Sequence, residues 1–133
     1  MSSYYRSALK RVLTVLCVGV GFCLLMFLAE GISSLILYDR WYLWFPSWTP
    51  LPMPYTLFAV MLFALFGWYP AVLVHTVGCA TGQVIGNWYG SLSKWNHGGM
   101  MTPAVGAASI LLAVFVQLAY GYIKKRIART KAP

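Results

Sequence analysis

The chain has 133 residues, of which 60% are hydrophobic and only 9% are charged, and its formal net charge is +8. Water-soluble domains carry roughly a quarter charged residues, so this composition excludes an ordinary soluble domain and predicts a single all-α integral membrane domain over residues 1–133. Aspartate and glutamate together number two, which leaves little acid for catalysis.

The first predicted membrane span covers residues 12–37. Basic residues before an apolar run are also typical of a signal peptide, but this run is too long for a cleaved leader, so we expect a retained helix. Glu30, Ser33 and Ser34 make its last turns polar. This predicts that they lie near the outer surface of the membrane.

Residues 39–54 are rich in aromatic side chains and prolines, a spacing that excludes a regular helix. Aromatic rings anchor membrane proteins at the headgroup layer, so we expect this segment to lie there as an outer segment. Together with Glu30 and the later loop it forms a candidate outer vestibule. The residues of that vestibule are Glu30, Trp41, Trp44, Trp48, Trp95 and His97.

The apolar stretch 55–85 is too long for one span, and Gly67, Trp68, Tyr69 and Pro70 interrupt it. Proline fits the first turn of a helix, where its missing N–H costs nothing. We therefore predict a second span over 53–66 and a third over 70–89. A three-span alternative would put the basic C-terminal tail outside, which the charge asymmetry disfavours.

A loop over 91–102 leads to a fourth predicted span over 103–122 and a basic tail over 124–133. Basic residues gather before the first span and after the fourth, the pattern of cytoplasmic flanks. The sequence thus predicts four transmembrane helices with both termini cytoplasmic, in a multi-pass protein of the cell (inner) membrane. We expect the tail to contact anionic lipid headgroups, and we expect no nucleic acid as a partner.

Glycines recur at every fourth position of the third predicted span, at Gly78, Gly82, Gly86 and Gly90. Positions i and i+4 share one helix face, so these glycines predict a groove into which another helix backbone packs. The partner is either a helix of the same chain or another copy of the chain. The fourth span offers small residues of its own, Ala104, Gly106, Ala108, Ser109 and Ala113.

A second stripe, here called the polar row, runs beside the glycines and consists of His75, Cys79, Gln83 and Asn87. Polar side chains at membrane depth face protein or water rather than lipid. Two interpretations stay open: a hydrophilic pathway, or hydrogen bonds that fix the register between helices.

No catalytic or metal-binding motif is present. The spacing of His75 and Cys79 suits a metal, but two ligands do not make a site. The cysteines lie in apolar stretches, so no disulfide framework is indicated. We expect no enzyme, no cofactor and no metal.

Three functions fit this pattern. The first is a small non-catalytic subunit that packs into a membrane complex through the glycine groove. The second is a homo-oligomeric channel or a solute-transporter subunit that uses the polar row. The third is a holin-like or immunity membrane protein. The expected partners are the lipid bilayer and other membrane subunits or further copies of the chain.

Overall fold

The computed structural model describes residues 3–38, 54–93 and 98–131. Within these ranges every regular element is an α-helix, as the sequence predicts. The helices are α1 (Ser3–Tyr38), α2 (Pro54–Leu65), α3 (Tyr69–Ser93) and α4 (Gly98–Lys131).

Two of the helices are long and apolar enough to cross a membrane, namely Tyr4–Leu37 of α1 and Ala104–Lys131 of α4. In each, only 17% of the most apolar stretch is buried inside the protein, whereas the core helix of a soluble protein is mostly buried. The exposed side chains are leucine, valine and isoleucine along most of both helices. A shorter apolar helix is α2, with 12 residues.

Helices α1, α3 and α4 extend beyond the predicted spans, whereas α2 lies within its predicted span of 53–66. α1 begins at Ser3 rather than near 12, and α4 begins at Gly98 and continues through the basic residues to Lys131. Alanine, lysine and arginine favour helix even in water, and Arg129 and Lys131 in the last turn of α4 complement its negative end. The basic residues that flank the first and fourth predicted spans therefore belong to helices α1 and α4.

The predicted break between the second and third helices is a tight turn at Gly67. The N–H of Gly67 donates to the Ala64 carbonyl (3.0 Å) and the N–H of Trp68 donates to the Phe63 carbonyl (2.8 Å). This pair of bonds is the Schellman motif, which needs a left-handed residue at Gly67, and its φ is +71°. The Trp68 ring stacks on the Phe63 ring at 6.1 Å. Pro70 then occupies the first turn of α3, as predicted.

Helix α3 is the centre of the fold. It packs against each of the other three helices, whereas the described parts of α1 and α4 do not contact each other. Gly78 lies opposite Ser109 and Gly82 opposite Val105, so α3 and α4 are antiparallel. Phe22 lies against His75 and Glu30 against Gln83, so α1 and α3 are parallel.

These directions bring the beginning of α1, the turn at Gly67 and the end of α4 to one end of the molecule, here called the basic end. It carries Arg6, Lys10 and Arg11 of α1 and the basic residues of α4 from Lys124 to Lys131. The end at which α2 and α4 begin is called the opposite end.

Candidate functional site

The polar row lies on the side of α3 that faces the other helices. His75, Cys79 and Gln83 are four residues apart, so they stack one turn above another on one face. His75 is 0% exposed and Cys79 is buried. The side chain of Asn87, the fourth predicted member, lies outside the described side chains.

His75 joins three helices through both ring nitrogens. Its Nε2 lies 3.0 Å from the backbone carbonyl of Thr56 in the first turn of α2. Its Nδ1 lies 2.8 Å from the hydroxyl oxygen of Ser109 in α4. A carbonyl oxygen only accepts hydrogen bonds, so Nε2 carries a proton and donates it to Thr56. His75 is thus held by hydrogen bonds between α2, α3 and α4.

Two phenylalanines enclose the imidazole. The Phe22 ring of α1 is stacked parallel to it, with centroids 5.7 Å apart and an interplanar angle of 8°. The Phe63 ring of α2 meets it edge-on at 5.9 Å. The apolar rings keep water away from His75 on two sides. We call His75, Cys79, Ser109, Thr56, Phe22 and Phe63 the histidine cluster.

Cys79 and Ser109 complete the polar part of the histidine cluster. The Cys79 Sγ atom lies 3.4 Å from Ser109 Oγ and 3.8 Å from each ring nitrogen of His75. Ser109 Oγ also lies 2.8 Å from the Gly106 carbonyl of its own helix. The Ser109 hydroxyl therefore has two acceptors within reach, but it holds one proton to donate.

Glu30 lies further toward the opposite end. It is only 7% exposed, and its carboxylate accepts a hydrogen bond from the Gln83 side-chain amide. Glu30 is the one acidic side chain in the described helices, because the other acid of the chain is Asp39. The row therefore leads from a buried carboxylate through Gln83 and Cys79 to His75.

Below His75, toward the basic end, the row is closed by an apolar plug. The plug is formed by Ala59, Phe63, Ala71 and Ala113, all buried, with Trp68 packed against them. One turn beyond Ala113 lies Gln117. Its Oε1 is buried and has no hydrogen-bond partner within the described parts of the chain. Polar groups thus stand on both sides of the plug.

The glycine row is used inside the chain at two positions. A Cβ atom added at Gly78 would lie 2.8 Å from the Ser109 Cβ, and one added at Gly82 would overlap Val105. Both glycines therefore face α4, one of the two kinds of partner that the sequence left open. Gly86 is buried, and the surroundings of Gly90 lie outside the described side chains.

The candidate outer vestibule is represented by Glu30 alone. Trp41, Trp44, Trp48, Trp95 and His97 lie outside the described residues.

Sequence reasoning missed several residues of the site. The sequence presents Ser109 as one of the small residues of the fourth span, although it is a hydroxyl in an otherwise apolar run. Gln117 carried the same signal, a lone amide between apolar neighbours. Phe22 and Phe63 carry no such signal, since their role depends on which helix faces His75.

The chemistry that the site offers is the binding of a proton or a small cation. Both ring nitrogens of His75 already have partners, and no three His, Cys, Asp or Glu side chains converge anywhere in the described ranges. What remains is one carboxylate, one imidazole and the amide and hydroxyl groups between them. Comparisons of the chain with protein-family models, with curated proteins and with solved structures find no match.

Proposed function

We propose that the chain is a four-span, non-enzymatic protein of the cell membrane that conducts a small cation along a pathway between its packed helices. The observation that carries the proposal is the buried Glu30 carboxylate of α1, joined to Gln83 in the polar row of α3. An ionisable side chain inside a membrane segment is costly and usually marks an ion or substrate pathway.

The sign of the charge supports a cation. Rings of aspartate or glutamate carboxylates occur in cation channels, and rings of lysine or arginine occur in anion pores. Glu30 is the charged group in the row, whereas the basic residues of α1 and α4 gather at the basic end. A cation entering from the opposite end would meet Glu30 first.

The order of groups supports a gated pathway rather than an open pore. Glu30, Gln83, Cys79 and His75 follow one another along the row, and then the plug around Phe63 separates His75 from Gln117. Conduction then requires the Phe63 side chain to move. In this proposal the plugged arrangement is the closed form.

The test is cation flux into liposomes that contain the purified protein, with potassium, sodium and proton movements recorded separately. We expect flux of at least one of these cations. Glu30→Gln removes the charge and keeps the shape, and it should lower that flux by roughly tenfold, the effect of about 1.4 kcal/mol of lost cation stabilisation.

A second test is Gln83→Leu, and its matched control is Thr81→Leu. Gln83 contacts Glu30, whereas Thr81 lies on the same helix but is exposed. Flux should fall in the first variant and stay at the original level in the second. A wild-type protein that gives no more flux than protein-free liposomes for all three cations would disprove the proposal.

A second candidate is the non-catalytic subunit of a membrane complex. It is favoured by an exposed apolar stripe on α3, where Leu73 is 67% and Val77 is 57% exposed, on the side that α1 and α4 leave open. The glycines give this candidate less support, because α4 already covers Gly78 and Gly82. Migration of the native protein with partners in blue-native gels, abolished by Val77→Lys, would favour it.

A further inference from the structure

We infer that the cation is a proton and that His75 is the group that binds it, with the Ser109 hydroxyl turning from His75 to the Gly106 carbonyl when the proton arrives. This inference rests on the proposed function and names its substrate.

The hydrogen bonds of the neutral imidazole follow from the partners of its nitrogens. Nε2 carries the proton, because the Thr56 carbonyl at 3.0 Å can only accept. Nδ1 is then the bare acceptor, and the Ser109 hydroxyl at 2.8 Å donates to it. The Cys79 thiol, 3.4 Å away, can donate to Ser109 Oγ in turn.

In the protonated imidazole, each ring nitrogen also has a hydrogen-bond partner. Nδ1 then carries a proton and donates to Ser109 Oγ, and the Ser109 hydroxyl proton points to the Gly106 carbonyl at 2.8 Å. One rotation of one hydroxyl converts the first arrangement into the second. Proton binding therefore leaves no buried donor or acceptor of His75 without a partner, so it avoids the cost of an unsatisfied polar group in an apolar interior.

The rings around His75 also accommodate the charge. The face of an aromatic ring is negative and attracts cations, and the Phe22 face is parallel to the imidazole at 5.7 Å. The other titratable groups near His75 are Cys79 on its own helix and Tyr55 beside Thr56 on α2. Glu30 lies two turns along α1, and α4 presents the uncharged Ser109.

The transfer itself is balanced. A proton arrives at Ser109 Oγ from the Cys79 side, the hydroxyl passes its own proton to Nδ1, and the retained proton then faces Gly106. The imidazole gains one proton and one positive charge, and nothing is oxidised or reduced. When the plug opens, the Nδ1 proton leaves to water on the Gln117 side, the imidazole becomes neutral again, and the Ser109 hydroxyl turns back from Gly106 to Nδ1.

The experiment is a pH titration of His75 by ¹⁵N NMR of histidine-labelled protein in lipid nanodiscs. The chain has two histidines, so a His97→Gln background leaves His75 as the one imidazole. On acidification from about pH 9 to about pH 4, we expect both ring nitrogens to take the shift of the protonated form. A His75 that stays neutral throughout would overturn the inference.

The role of Ser109 is tested by Ser109→Ala against Thr76→Ala. Thr76 is the neighbour of His75, and its hydroxyl is bonded to the Val72 carbonyl instead. Hydrogen bonds to a charged group are about twice as strong as neutral ones, so losing Ser109 should move the titration midpoint down by about one pH unit. Equal midpoints in the two variants would overturn the switch.

Two further measurements test the proton site, namely the titration of a Phe22 variant and the comparison of separate cation fluxes. If Ser109→Ala does not fold, Phe22→Leu removes the ring face and should also lower the midpoint. In the liposome assay, flux of potassium or sodium without proton flux would agree with cation conduction and would refute the inference that the conducted cation is a proton. A titrating His75 in a protein that conducts no cation would refute the proposed function and leave the proton site.

Discussion

Gly82 lies where α3 comes closest to α4. A methyl group there would occupy the position of Val105, and overpacking of this kind costs typically about 1–3 kcal/mol. We expect Gly82→Ala to lower the free energy of unfolding in detergent by that amount, measured by thermal or denaturant unfolding.

Gly121 provides the matched control, because it also lies within a helix and has open space around it. Replacing glycine by alanine at such a position usually stabilises a helix by about 0.4–1 kcal/mol. Opposite signs for the two variants are the expected result. Equal effects would mean that Gly82 is not packed against α4.

The histidine cluster shows what a sequence can and cannot say about a site. His75, Cys79 and Gln83 follow from their spacing on one helix, and so does their position on a shared face. The partners could not be read in the same way. The Thr56 carbonyl belongs to the backbone, and Ser109 is 34 residues away from His75, so their proximity depends on how the helices pack.

At the scale of the helices, the Gly67 turn sets the angle at which the chain enters α3. Its φ of +71° suits glycine, and an L-residue with a side chain loses roughly 1–2 kcal/mol in that conformation. We expect Gly67→Val to destabilise the protein by at least this amount in an unfolding experiment, since a β-branched residue is particularly unfavourable there.

Gly67→Asn is the informative comparison, because asparagine tolerates the left-handed region better than other residues. Its loss of stability should be clearly smaller than that of Gly67→Val. A Cβ at Gly67 meets no neighbouring atom, so the difference between the variants would report the backbone alone. If both variants lose the same stability, the Schellman turn is not formed.

The number and type of the helices could be predicted because their signals are local. Gly67 and Pro70 mark the end of one helix and the beginning of the next through backbone geometry. The helix ends were harder to predict, because the basic residues after 122 signal the membrane surface and favour a helix at the same time. Hydropathy reports where lipid ends, and it does not report where a helix ends.

For the molecule as a whole, the basic end is the side expected in the cytoplasm. Cysteines introduced at Tyr69 and Thr130, in a variant whose own three cysteines are replaced by alanine, should resist an impermeant maleimide in intact cells. Both should react in inverted vesicles, because segments rich in lysine and arginine stay on the cytoplasmic side of the membrane.

A cysteine at Pro54, exposed at the beginning of α2 and hence at the opposite end, should react in intact cells. Labelling of the Thr130 variant from outside would contradict four spans and would favour the three-span alternative, which puts the basic tail outside.

The length of α2 has a consequence for the electric field across the protein. Its 12 residues rise only about 18 Å at 1.5 Å each, whereas a hydrocarbon core is about 30 Å thick. In the proposed four-span topology α2 is a short span, and a short span draws the two lipid surfaces together around it. The membrane potential would then fall over a shorter distance, and His75, bonded to the first turn of α2, would lie within that distance. Its occupancy by a proton should accordingly depend on voltage.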